Sequence, residues 1–358
     1  MSVDALWLTN ARLITPRGIV EGALKVSGGR IAAMRRSAPR AGRRMMLRGA
    51  FLAPGFVDLH VWGDPAIVSR EAVQAGCTGF LSTLGPEPPA KLLRHVEERA
   101  SAAPIGAACL GLHLEGPFLN PERSGALPKR WMRRPSVREL ERLAKAARGG
   151  LRVITIAPEL RGGDEAIRWC RRHGVIASLG HSQAKAGEAL GAVESGAQAV
   201  THVFNGMPPL HHRAPSLLDI ALTDPRLIAM VILDGVHVSA HAFRLLFRAK
   251  GAGGVALVTD SIRHQGWEVR RRLGAYYTRH GVLAGSNLTM IRAVRNAVVS
   301  GGASVAEAAE MASATPARLL GLRDRGRLAQ GARADLVSFD ERFRVRLTMV
   351  GGRVAFET

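Results

Sequence analysis

Six polar residues interrupt apolar runs at places where they could do chemistry together. His60 closes PGFVDLH, Glu115 closes LGLHLE, His181 stands in SLGHS, His202 in VTHVFN, His237 in LDGVHV and Asp260 in LVTDS. Each has an ordinary explanation: a strand-end histidine is commonly a hydrogen-bonded structural residue, and an aspartate before serine is a common helix N-cap. A glutamate before Gly-Pro can simply be solvated. Together they say more. Glu115, His181 and His202 supply one carboxylate and two imidazoles, a borderline-hard ligand set suited to Zn²⁺ that leaves a position open for water. Asp260 is then placed to take a proton from that water.

The stretch PGFVDLHVWG raises a question of its own. A second histidine two residues after His60 would set two imidazoles side by side at one strand end, but that residue is Trp62. Either the chain has no metal site here or its site does without this ligand.

Such residues must be brought to one place by the elements that carry them. FLAPGFVDLH, GFLSTLG, CLGLHLEG, RVITIAPE, VIASLGHS, AVTHVFNG, IAMVILDG and GVALVTDS are short buried runs, each followed by a helix-compatible stretch. Eight parallel strands alternating with helices are expected, an α/β fold built as a (β/α)8 TIM-like barrel. Barrels of this kind gather their sites at the C-terminal ends of the strands, where the six residues lie. The terminal segments have another rhythm, with apolar and polar residues alternating between turn signals, which predicts short antiparallel strands. The expected organisation is a small β-sandwich domain made from both termini (1–52 and 324–358) around a barrel (53–323).

Composition sets the bounds. The 358 residues are 47% hydrophobic and 22% charged, as in a folded globular protein. No run approaches the roughly 18 apolar residues of a membrane span. The opening MSVDALWLTN shows no secretory signal, and three scattered cysteines suggest a reducing compartment, so a cytoplasmic location is expected. The net charge of +21 could attract nucleic acid. The arginines, however, are spread along the chain without an aromatic-interleaved basic module, and a phosphorylated small molecule is the simpler partner for such a field.

PGFVDLHVWG, HLEGPFLNPERSGA, LGHS, THVFNGMPP, LDGVHVS, LVTDS, LAGSNLTM, ATPARLLGL and GRLAQGARADLVSFD, in this order over almost the whole chain, resemble the N-acetylglucosamine-6-phosphate deacetylases of the amidohydrolase superfamily. The resemblance implies a barrel enzyme that hydrolyses the N-acetyl amide of an amino-sugar phosphate. It implies one divalent metal per subunit, zinc by the ligand types, held by Glu115, His181 and His202, with Asp260 as general base and acid. Members of the family vary at the first-strand histidine pair, so Trp62 weakens a second metal position without removing the main one. His60 then either contributes to a second ion or is a structural remnant. The resemblance also implies a homodimer in which Arg213 reaches the neighbouring subunit's substrate phosphate, with Asn205, Gly206 and His237 completing sugar and phosphate recognition. Without the resemblance, Arg213 would pass as an ordinary surface arginine.

Two departures stand out. Where the family usually has a histidine after HLEGPFLNPERSGA, this chain has Leu127, which cannot donate a hydrogen bond to a carbonyl. Three accounts follow: another imidazole (His211, His212 or His264) substitutes, the substrate is a different N-acyl or cyclic amide, or deacetylation is slow or absent. The segment 263–281 is shorter than the family's usual hairpin insertion and implies a different pocket wall. The remaining alternative is a non-catalytic binding protein on the same scaffold.

Overall fold

The computed structural model describes residues 5–39, 42–262, 269–272 and 274–358. Eight parallel strands form the central sheet: β1 Phe56–Trp62, β2 Cys77–Leu84, β3 Ala108–Glu115, β4 Leu151–Ile156, β5 Ile176–Leu179, β6 Ala199–Val200, β7 Ile228–Val231 and β8 Val255–Leu257. They pair in chain order, and helices such as Pro89–Ala100, Val137–Ala146 and Ala240–Lys250 connect them. The two edge strands then meet. Asp260 N donates to His60 O (2.8 Å) and Trp62 N to Ser261 O (2.9 Å), which joins the segment after β8 to β1. The expected barrel is present. Its strands are buried on both faces, as parallel strands covered by helices must be.

A buried carboxylate strengthens the same seam. Asp58 Oδ2 accepts from Thr259 Oγ1 (2.5 Å), and Oδ1 accepts the backbone N–H groups of His60 and Thr259 (3.2 Å each). Burial pushes the Asp58 carboxyl up to about 6, against these hydrogen bonds.

The termini form one small sheet domain. Strands Gly18–Ser27 and Arg30–Arg35 extend the sheet from Leu6–Thr15, which pairs in turn with Arg43–Met46 and Phe51–Pro54; Leu336–Phe339, Val345–Val350 and Arg353–Glu357 complete it. Alternation brings Leu8, Leu13, Leu24, Leu52, Leu336 and Met349 into a common core. One expectation needs correction: FLAPGFVDLH is two strands, not one. Phe51–Pro54 pairs with Leu336–Phe339 in the terminal sheet, and the chain enters the barrel after Gly55. A side chain at Gly55 would collide with Thr78, whose Cγ2 would lie 2.2 Å from an added Cβ. Among the described residues no helix is long and apolar enough to cross a membrane.

Candidate active site

Three of the site residues stand where strand geometry ends. Glu115 is the last residue of β3, and His181 and His202 each lie two residues beyond their strands. His181 (φ 47°), His202 (φ 30°) and Asp260 (φ 47°) have left-handed backbones, rare for non-glycine residues. This strain turns the chain at the barrel mouth and aims the side chains at one another.

They meet around Glu115. Its Oε1 lies 2.9 Å from His181 Nε2 and 2.8 Å from His202 Nε2, and the two Nε2 atoms are 3.1 Å apart. His181 Nδ1 is 2.6 Å from the carbonyl oxygen of Arg123, which can only accept. The Nδ1 therefore carries the proton, and in the neutral ring Nε2 presents a lone pair to the cluster. Burial works to raise the Glu115 carboxyl, but His60, His181 and His202 outweigh it and hold the group well below the usual carboxylate range. Burial likewise opposes charge on His181, yet Glu115 raises it. A buried carboxylate oxygen that meets the Nε2 atoms of two histidines is a donor set that can share one cation. Glu115, His181 and His202 bring their ligand atoms within 4.8 Å of one another, so the donor set fits a divalent cation.

His60 also faces the cluster. It is fully buried, with Nε2 3.2 Å from Glu115 Oε2 and 3.3 Å from Asp260 Oδ1. Burial opposes its charge, but Glu115 and Asp260 raise its pKa to about 9. Asp260 takes a further bond from the Trp62 indole, Nε1 to Oδ1 at 2.8 Å.

A cavity of about 220 Å³ opens over these groups, with Glu115, His181, His202, Asn205, Gly206, His237 and Asp260 on its polar side. Trp62, Leu127, Ile232 and Val282 form an apolar side. Gly206 has φ 64°, and an added Cβ would stand 3.2 Å from His181 Nδ1, so this position suits glycine alone. His211, His212 and Arg213 lie outside the cavity on an exposed loop, with Arg213 Nη1 2.9 Å from His212 Nε2. His264 falls outside the described residues. The strands Val269–Arg272, Ala275–Thr278 and Leu283–Ser286 form a small antiparallel sheet whose last strand walls the cavity.

Several supporting residues escaped the sequence reading. Glu159 accepts from Asn120 Nδ2 (2.9 Å), Ser182 Oγ (2.7 Å) and Gln183 N (2.6 Å), tying the loop after β3 to the loop that carries His181. Asp234 accepts from His237 Nδ1 at 2.6 Å. Beneath the site, His113 Nδ1 donates to Leu59 O, and burial lowers this imidazole to about 3, keeping it neutral. Its Nε2 then accepts from Thr155 Oγ1, which continues to Thr201 and Ser178 in a buried polar layer.

The barrel, the terminal sheet and a Glu-His-His cluster beside an aspartate define a metal-dependent hydrolase of the amidohydrolase class. Residues 51–355 match the model of the amidohydrolase family. The chain is 36% identical to N-acetylglucosamine-6-phosphate deacetylase of Bos taurus, over 98% of this chain and 95% of the other. It is 33% identical to N-acetylgalactosamine-6-phosphate deacetylase of Escherichia coli O157:H7, over 96% and 97%. A solved mutant of N-acetyl-D-glucosamine-6-phosphate deacetylase from Mycobacterium smegmatis, in complex with N-acetyl-D-glucosamine-6-phosphate, superposes with TM-score 0.91 at 31% identity. That match covers 99% of this chain and 100% of the other. The chain belongs to the N-acetylglucosamine-6-phosphate deacetylase family of amidohydrolases.

Proposed function

We propose that this enzyme hydrolyses the N-acetyl amide of N-acetylglucosamine 6-phosphate, giving glucosamine 6-phosphate and acetate, in the cytoplasm. The observation that carries the reading is the convergence of Glu115, His181 and His202 beside Asp260 at one barrel mouth. The barrel (53–323) carries this chemistry, and the terminal domain (1–52 and 324–358) supports it.

Glu115, His181 and His202 hold one zinc ion. When bound, that ion supplies Lewis-acid polarisation and makes water acidic enough to attack near neutral pH. Asp260 takes a proton from the attacking water as its oxygen bonds to the amide carbon, then delivers it to the sugar nitrogen as the C–N bond breaks. Without that proton the amine would be a poor leaving group. Asn205 and Gly206 contact the sugar, and His237, oriented by Asp234, contacts the hydroxyl or phosphate side. Arg213 binds the phosphate in the neighbouring subunit of a homodimer. Its exposed place outside its own chain's cavity suits that role, and a guanidinium fork matches phosphate with two parallel bonds.

Leu127 favours a second reading. It belongs to the cavity's apolar side and is 8% exposed, so it offers hydrophobic contact where a hydrogen-bond donor was expected. A longer N-acyl group would gain from that wall. Steady-state rates on N-acetylglucosamine 6-phosphate, its phosphate-free sugar and the N-butyryl sugar phosphate test both readings. The first predicts that losing the phosphate costs about 10- to 100-fold in kcat/KM and that acetyl is preferred. Preference for butyryl would support the second.

A further inference from the structure

The indole of Trp62 faces one oxygen of the Asp260 carboxylate. Nε1–H donates to Asp260 Oδ1 at 2.8 Å, and His60 Nε2 is 3.3 Å from the same oxygen. An indole N–H only donates, so its proton is directed at Oδ1.

The ring is held in this position. The backbone bonds Trp62 N to Ser261 O and Asp260 N to His60 O place the two residues on joined strand ends. The indole, 4% exposed, packs with Leu119, Leu127, Met132, Ile262 and Ala284. The chain leaves space for it at Gly85, where an added Cβ would stand 2.9 Å from Trp62 Cη2. With Oδ1 engaged, rotation of the Asp260 carboxylate is restrained, and its other oxygen is the one free to exchange a proton.

We propose that Trp62 is a positioning residue for Asp260, its indole N–H orienting the carboxylate so that the other oxygen is left to exchange the proton. The proposal rests on the deacetylase reading.

Wild type and Trp62→Phe, each as the full chain loaded with zinc and dialysed, test this. Trp62→Phe keeps a flat apolar ring and loses the donor together with part of the ring volume. Its kcat on N-acetylglucosamine 6-phosphate falls about 10- to 100-fold, as for other groups that orient a reacting partner, with KM nearly unchanged and zinc still about one per chain. Folded Trp62→Phe with wild-type kcat overturns the positioning role. The Trp62 indole N–H resonance, assigned by its loss in Trp62→Phe, needs no turnover: it lies downfield in wild type and moves upfield in Asp260→Asn. An unmoved resonance also overturns the positioning role. Absence of wild-type turnover would instead count against the deacetylase reading, and the resonance would still decide the proposal.

Discussion

His237 Nδ1 lies 2.6 Å from Asp234 Oδ2, and the other oxygen of that carboxylate accepts the backbone N–H groups of Val236 and His237. The aspartate is thus fixed by its own loop, and it fixes the imidazole at the cavity edge. Asp234→Asn keeps the shape and removes the charge. KM for the sugar phosphate is expected to rise about 10-fold, the scale of one charge-assisted hydrogen bond, with a smaller change in kcat. An unchanged KM would remove His237 from substrate binding.

Glu159 binds three donors from two loops, one of which carries His181. Glu159→Ala frees that loop without touching the ligand atoms. Metal affinity should drop about 10- to 100-fold, the usual cost of losing support behind a ligand. Competition with a chelator of known affinity measures it.

The seam between β1 and β8 depends on Thr259. Thr259→Val removes the hydroxyl donor from the buried Asp58 carboxylate, at a cost of about 2 kcal/mol for a bond to a charged group. Denaturant unfolding of wild type and variant gives the difference. Equal midpoints would mean that Asp58 contributes little to closing the barrel.

Donation of Arg213 across a dimer interface makes a prediction that a monomeric site cannot meet. Asp260→Asn should be nearly inactive alone, and Arg213→Ala should lose about 10- to 100-fold in kcat/KM. Mixed under subunit exchange, they should regain activity, because one hybrid site then has Asp260 from one chain and Arg213 from its partner. Absence of recovery in demonstrated hybrids would place Arg213 outside the neighbour's site.

The barrel was readable because six of the eight apolar runs lead into a polar residue, and the place where they do so is the barrel mouth. Glu115, His181 and His202 could be grouped from this alone. The division of FLAPGFVDLH could not, because Gly55 is required by contact with Thr78, which lies on another strand. Trp62 looked like a missing ligand. Its donor role depends on Asp260, 198 residues away, which no local pattern brings beside it. Glu159 and the His113–Thr155–Thr201–Ser178 layer escaped for the same reason, since their partners belong to different strands and loops. The Asp234–His237 pair was within reach: its members are three residues apart in LDGVHV, and only the geometry of the turn was unread.

The measurement that bears most directly on the account is primary-amine release from N-acetylglucosamine 6-phosphate by zinc-loaded enzyme, with chelator-stripped enzyme as the control. Turnover that disappears on stripping and returns with zinc is the predicted result. Amine release at the same rate from the stripped protein, or none from protein with zinc bound at Glu115, His181 and His202, would contradict it.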